Sequence, residues 1–232
     1  WVLILLRYLE KLNEAKSSNS LKNLKILELG CGTGMLGIIA ATLGADVTMT
    51  DLPDIIPKTE ANIKKNQQTI AEAGGKARAI PYDWKDNNPK LKKKAEAPYD
   101  LILACEVVYT KESGALFLNA VEHIFGDEKL SHENTKLLLA GDLRGRVGRK
   151  TMIETAMKKF SVEKILESEM DPKWVSINVE MHNISRSSVA LGDENVNADD
   201  SKNDSKNNTQ LETLQHSHFQ QPMEQQRPIR LL

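Results

Sequence analysis

Cysteine is nearly absent. Cys31 and Cys105 are the only two in 232 residues, too few for a disulfide framework, and a reducing compartment is the simplest fit. Aromatic residues contribute just 5%. Aliphatic side chains must therefore fill the core, and 40% apolar residues supply enough of them. Charge of one sign is also lacking. A formal net charge of −1 argues against the concentrated basic surface that broad nucleic-acid binding needs. No apolar run reaches the roughly 20 residues of a membrane span. The opening stretch Trp1-Val2-Leu3-Ile4-Leu5-Leu6 soon meets Arg7, Glu10 and Lys11. It reads as an amphipathic helix rather than a signal peptide, because no clear small-residue cleavage site follows. The five histidines are scattered and no metal-ligand spacing appears, so no metal is expected. There is no internal repeat. Because the first residue is Trp1 rather than Met, a truncated N-terminus is expected.

What is present is an alternation of strand and helix patterns over about 180 residues. A helix is predicted over residues 1 to 14, and Ser17-Ser18-Asn19-Ser20 breaks it. Strands are predicted at Leu24 to Leu29, Asp46 to Thr50, Lys76 to Ile80, Tyr99 to Ala104 and Lys136 to Ala140. Helices are predicted at Met35 to Leu43, from Pro57 to the Gly74-Gly75 stop, at Glu112 to Phe125 and at Arg149 to Phe160. Two further alternating stretches, Ser161 to Leu166 and Trp174 to Met181, are suited to pair antiparallel. Such alternation predicts an α/β fold, with a mostly parallel sheet and helices on both faces. From about Ser187 onward Asn, Asp, Ser and Gln dominate and large apolar residues are few. Residues 1–186 are therefore expected to form the folded domain and residues 187–232 a disordered polar tail. Lys90, Lys92, Lys93 and Lys94 make a basic loop between Asp86 and Glu96, either solvated or docking onto an acidic protein surface.

The most informative segment is Glu28-Leu29-Gly30-Cys31-Gly32-Thr33-Gly34, between an apolar strand and a helix. Glycines suit a sharp turn that a ligand approaches closely, at the carboxyl end of a strand, where open α/β sheets bind ligands. Gly32-x-Gly34-x-x-Gly37 matches the dinucleotide spacing, but in the wrong register after the strand. No Lys-Ser or Lys-Thr pair follows, which argues against a P-loop. Asp51 ends the next strand, where a carboxylate can accept two ribose hydroxyls. That feature suits NAD and S-adenosylmethionine alike. Asp83-Trp84 after the third strand can receive an adenine amino group and cover its ring, or Trp84 can simply edge the core. Cys105, Glu106 and Tyr109 follow the fourth strand, at the same sheet edge. Arg144 and Arg146, after the fifth strand, are either substrate contacts or solvated loop residues.

Together these residues resemble the seven-β-strand protein methyltransferases of the methyltransferase-like lysine group, over residues 1 to about 185. Glu28-x-Gly30-x-Gly32-x-Gly34 looks like the first motif of class I methyltransferases. Glu106-Val107-Val108-Tyr109 matches the group's [Asp/Glu]-x-x-Tyr signature, with Glu106 standing where many members carry Asp. Asp83-Trp84 matches its adenine element, and Trp1 a tryptophan that contacts the cofactor ahead of the glycine loop. Cys31 and Cys105 replace the group's common Ala. The resemblance implies a Rossmann-like seven-stranded sheet with an antiparallel terminal hairpin, and S-adenosylmethionine as cofactor. It implies cofactor binding by Trp1, Glu28, Gly30, Cys31, Gly32, Gly34, Asp51, Leu52, Asp83, Trp84 and Cys105. Glu106 and Tyr109 are then the catalytic pair, orienting the target amine, with Glu106 holding the methionine end of the cofactor as the alternative. The implied partner is a protein presenting a lysine, met by a monomer in the cytoplasm or the nucleus, with no nucleic acid or membrane involved. Arginine, histidine or a small amine as acceptor, and a non-catalytic cofactor-binding module, stay open.

Overall fold

A computed structural model describes residues 1–15, 21–86, 91, 93, 98–142, 147–174, 176 and 178–187. All of them belong to the compact unit Trp1–Leu191. The break at Ser17 to Ser20, the lysines Lys90, Lys92 and Lys94, Arg144 and Arg146, and the polar tail after Ser187 lie outside the described residues.

The strands are β1 (Lys25–Leu29), β2 (Asp46–Asp51), β3 (Lys76–Pro81), β4 (Tyr99–Cys105), β5 (Ser131–Asp142), β6 (Phe160–Lys164) and β7 (Val179–Arg186). The helices are α1 (Val2–Ala15), α2 (Met35–Thr42), α3 (Ile56–Glu72), α4 (Lys111–Phe125) and α5 (Val147–Ala156). They build one seven-stranded sheet in the order β3-β2-β1-β4-β5-β7-β6. The first five strands run parallel, and β7 pairs antiparallel with both β5 and β6. The expected Rossmann-like sheet with its terminal hairpin is what forms.

The two-residue period of the strands sorts side chains between two cores. Ile26, Leu103, Leu138 and Ala140 pack with α1, α2 and α3 on one face. Leu27, Leu29, Ile102, Ala104, Leu137 and Leu139 pack with α4 and α5 on the other. Strands covered on both faces read as continuous apolar runs, which is why β1 and β4 stood out in the sequence. α1 turns Leu5 and Leu9, both 0% exposed and one helical turn apart, toward the sheet. Among the described residues, no helix is long and apolar enough to cross a membrane.

Several boundaries differ from the sequence expectation, among them the start of β5, which lies at Ser131 rather than Lys136. The last helix ends at Ala156 rather than Phe160, because Phe160 opens β6 and packs edge-on against Phe125 at 5.4 Å. The closing strand is Val179–Arg186, not Trp174 to Met181. Its register places Val179 opposite Asp142 and Ile184 opposite both Leu137 and Val162. Trp174 lies instead under the guanidinium of Arg7, 5.5 Å from its ring centre.

Strand order reverses between β1 and β4. Connections leaving these two strands diverge, and open α/β sheets form their ligand crevice at such a point.

Candidate functional site

A cavity of about 630 Å³ lies at that crevice. β1 delivers its floor. The N–H groups of Gly30 and Cys31 both donate to the Thr50 carbonyl, at 2.9 and 3.0 Å, and Gly34 N–H donates to Cys31 O at 2.8 Å. This folds the loop back onto β2. Gly30 is required there, because its φ is +71° and a Cβ would stand 2.6 Å from Val107 Cγ1. Thr59 of α3, fully buried, donates its hydroxyl to Gly32 O at 2.7 Å and anchors the loop from behind. At Gly32 a Cβ would meet nothing within 4 Å, so its backbone is bare toward the open space.

Asp51, at the end of β2, accepts Gly32 N–H on Oδ2 at 2.7 Å and Leu52 N–H on Oδ1 at 2.8 Å. Glu28 lies deeper, 3% exposed, and accepts Gly37 N–H at 2.9 Å. Gly37 has to be glycine, since a Cβ would come within 2.5 Å of that same carboxyl oxygen. Burial pushes the Glu28 carboxyl up to about 8, aided by the Asp51 charge and opposed by the Gly37 hydrogen bond. Its folded value thus exceeds the ordinary 4.5. The stability tied to that proton is complete below the ordinary value and is lost as pH rises toward about 8. Glu28→Gln keeps an acceptor for Gly37 without the titration. Thermal melts from about pH 5 to about pH 8.5 should therefore fall more steeply for the wild-type protein than for the variant. Parallel curves would remove Glu28 as the source.

Trp84 forms a wall after β3. Its ring meets Phe117 of α4 edge-on at 5.3 Å and 68°, so it edges the core and lines the cavity at once. Asp83 beside it accepts Lys85 N–H at 3.0 Å, a turn that holds Trp84 in place. Tyr82, 2% exposed, is pushed by burial up to about 12. Burial also raises both thiols, Cys31 and Cys105, to about 12, so neither has the thiolate character of a nucleophile.

Glu106 follows β4 with φ at +57°, an uncommon conformation for a residue with a Cβ. Two bonds to β5 maintain it. Its N–H donates to Ala140 O at 3.0 Å, and its Oε1 accepts the Asp142 N–H. Tyr109 is 62% exposed at the mouth. Its N–H donates to Ser113 Oγ at 3.0 Å, and Thr110 and Ser113 cap each other at the start of α4.

The cavity is lined by Glu28, Gly30, Cys31, Gly32, Asp51, Leu52, Asp83, Trp84, Cys105, Glu106 and Tyr109. Two of the expected residues, Trp1 and Gly34, are not among those that line it. Trp1 packs against the core beside α1, and its neighbour Val2 lines the cavity instead. Gly34 supplies the positive φ that starts α2, while Thr33 and Met35 on either side face the space. Among the described residues, no group of His, Cys, Asp or Glu is arranged to hold a metal ion. Thr59 and Ser113 were missed by sequence reasoning. Thr110-x-x-Ser113 is a legible helix start, whereas nothing local marks Thr59.

The fold has solved counterparts. A TehB-like SAM-dependent methyltransferase from Corynebacterium glutamicum superposes with a TM-score of 0.52, at 16% identity over 78% of this chain and 87% of that one. The methyltransferase domain of bacterial CtHen1 gives 0.51, at 14% identity over 78% and 97%. Among curated proteins, EEF1A lysine methyltransferase 3 of Mus musculus is 28% identical over 155 residues, covering 67% of this chain and 60% of its own length. Protein N-lysine methyltransferase METTL21A of Danio rerio is 34% identical over 146 residues, covering 62% and 61%. The chain thus spans about three fifths of the length of the curated relatives it matches. The profile described as "Lysine methyltransferase" matches residues 2–159, taking in every strand and loop that lines the cavity. On that match the chain belongs to the lysine methyltransferase family.

Proposed function

We propose that this chain is an S-adenosylmethionine-dependent methyltransferase acting on a lysine side chain of a protein. One observation carries the reading: a single cavity gathers the bare Gly32 backbone, Asp51, Trp84 and the Glu106–Tyr109 pair. The residues fit the cofactor. A carboxylate offers about four lone-pair sites, so Asp51 keeps capacity for ribose hydroxyls beyond its two backbone bonds. Trp84 offers an adenine its face, Asp83 an acceptor and Leu52 an apolar cover. Glu28, deep in the floor, is suited to the ammonium group of the cofactor's methionine end, whose positive charge would draw the buried carboxyl back toward its ionised form, and this leaves Glu106 for the target amine.

Bound there, S-adenosylmethionine supplies an electrophilic methyl group on a sulfonium. The chain's task is to present a lone pair to it. A free lysine carries its proton up to a pH near 10.4. Val107 and Leu116 make part of the wall apolar, and desolvation of this kind disfavours the ammonium. Glu106 and Tyr109 orient the amine at the mouth. Positioning supplies most of the acceleration, with effective molarities of up to about 10⁸ M as the ceiling. Residues 1–186 are assigned to this catalytic domain and residues 187–232 to a polar tail. The two free cysteines support a reducing compartment, the cytoplasm first.

Two measurements on the full chain test the proposal. Calorimetry should show heat with S-adenosylmethionine and with S-adenosylhomocysteine; silence with both would reject the cofactor. Incubation with tritiated cofactor and a cell lysate should label a protein, with mass spectrometry placing the methyl on lysine. Label on arginine, on histidine or only in small molecules would reject the acceptor.

A further inference from the structure

Arg149, in the first turn of α5, is 3% exposed. A buried guanidinium needs an anion and satisfied donors. Its Nη2 donates to the Glu180 carbonyl of β7 at 3.1 Å. The Glu180 carboxylate itself is committed to Lys164. On the other side lies Gly141 of β5. A Cβ there would stand 2.6 Å from Arg149 Nη1, 3.0 Å from Arg149 Cζ and 3.0 Å from Glu106 Oε1. The missing side chain of Gly141 is therefore the gap across which the guanidinium and the Glu106 carboxylate face each other. That carboxylate is also the acceptor of Asp142 N–H, on the residue after Gly141. His182, on the far side, is neutral at physiological pH, since burial and the Arg149 charge press it down to about 4.

We infer that Arg149 is a positioning residue: through the gap at Gly141 it sets the placement of the Glu106 carboxylate, and so governs transfer without touching substrate. The inference rests on the methyltransferase reading above. It explains how a carboxylate on a strained backbone keeps one orientation. The Asp142 amide holds it from one side and the guanidinium from another, each carried by a different element.

The test uses the full chain, labelled S-adenosylmethionine and a fixed cell lysate, with calorimetry of cofactor binding alongside. Arg149→Met should lower the single-turnover rate on the order of 10²-fold, the scale of a misplaced catalytic group, and leave cofactor affinity unchanged. Arg149→Lys, which keeps the charge, should recover most of the rate. Gly141→Ala, which crowds both groups, should reproduce the loss without removing either. In the Glu106→Gln background Arg149→Met should add nothing. A merely structural arginine would instead lower the melting temperature and cofactor affinity together. Full additivity with Glu106→Gln overturns the inference, as does coupling that appears with Asp142→Asn in place of Glu106→Gln. Should Arg149→Met fail to fold, Gly141→Ala decides alone, and a wild-type rate in that variant overturns the inference. A wild-type chain that binds no cofactor would refute the underlying reading, a result distinct from any of these.

Discussion

Glu106→Gln should lower methyl transfer on the order of 10²- to 10³-fold, the scale seen when one preorganised electrostatic partner is removed from a reacting centre. The variant keeps the shape of the side chain and an acceptor for Asp142 N–H, so what it loses is charge. Cofactor affinity should stay within about threefold, because Asp51 and the glycine loop, not Glu106, carry the ribose and backbone contacts in this reading. The backbone adds an independent argument. A left-handed conformation costs a residue with a Cβ about 1–2 kcal/mol, and Glu106 holds one at φ +57°. Such strain persists where surrounding structure over-determines it, and it clusters at functional sites. Single-turnover transfer into a lysate at saturating cofactor, with calorimetry beside it, reads both quantities. An unchanged rate would remove Glu106 from the chemistry.

Asp51→Asn should give the opposite signature. Hydrogen bonds to a charged group contribute about 1.5–3 kcal/mol each, so two ribose bonds to a carboxylate predict cofactor binding weakened on the order of 10²-fold or more. Transfer at saturating cofactor should remain close to wild type, since the ribose lies away from the reacting methyl. Asparagine can still accept one of the two backbone N–H groups that Asp51 holds, from Gly32 or Leu52, so the loop should survive. Calorimetry on both proteins gives the ratio directly, and equal affinities would mean that the cofactor's sugar lies elsewhere. The two variants together separate binding from chemistry.

Much of this was legible in the residues. β1 and β4 announce themselves as apolar runs because both faces of the sheet are covered. The glycine loop and Asp51 are readable because each consequence is local: a turn after one strand, an acid at the end of the next. Tertiary pairing shifted the boundaries the sequence misjudged. Phe160 looked like the tail of a helix and opens a strand, because Phe125, far from it in the chain, receives its ring. Trp174 looked like a strand residue and lies under Arg7 of the first helix.

By itself the sequence determined the fold class, the strand that ends in the glycine loop, and most of the residues that line the cavity. The fold class and the glycine loop follow from periodicity and from backbone conformations that only particular residues adopt, preferences that act over a few neighbours. Lining residues such as Cys31, Leu52 and Cys105 were legible only through the resemblance to a known family. Only the tertiary structure decided how those residues work together. Glu106 meets the Asp142 amide 36 residues away, Arg149 enters the gap at Gly141 from another helix, and Thr59 anchors Gly32 across 27 residues. Contacts of that kind depend on which elements the sheet order places side by side, and no local pattern encodes it.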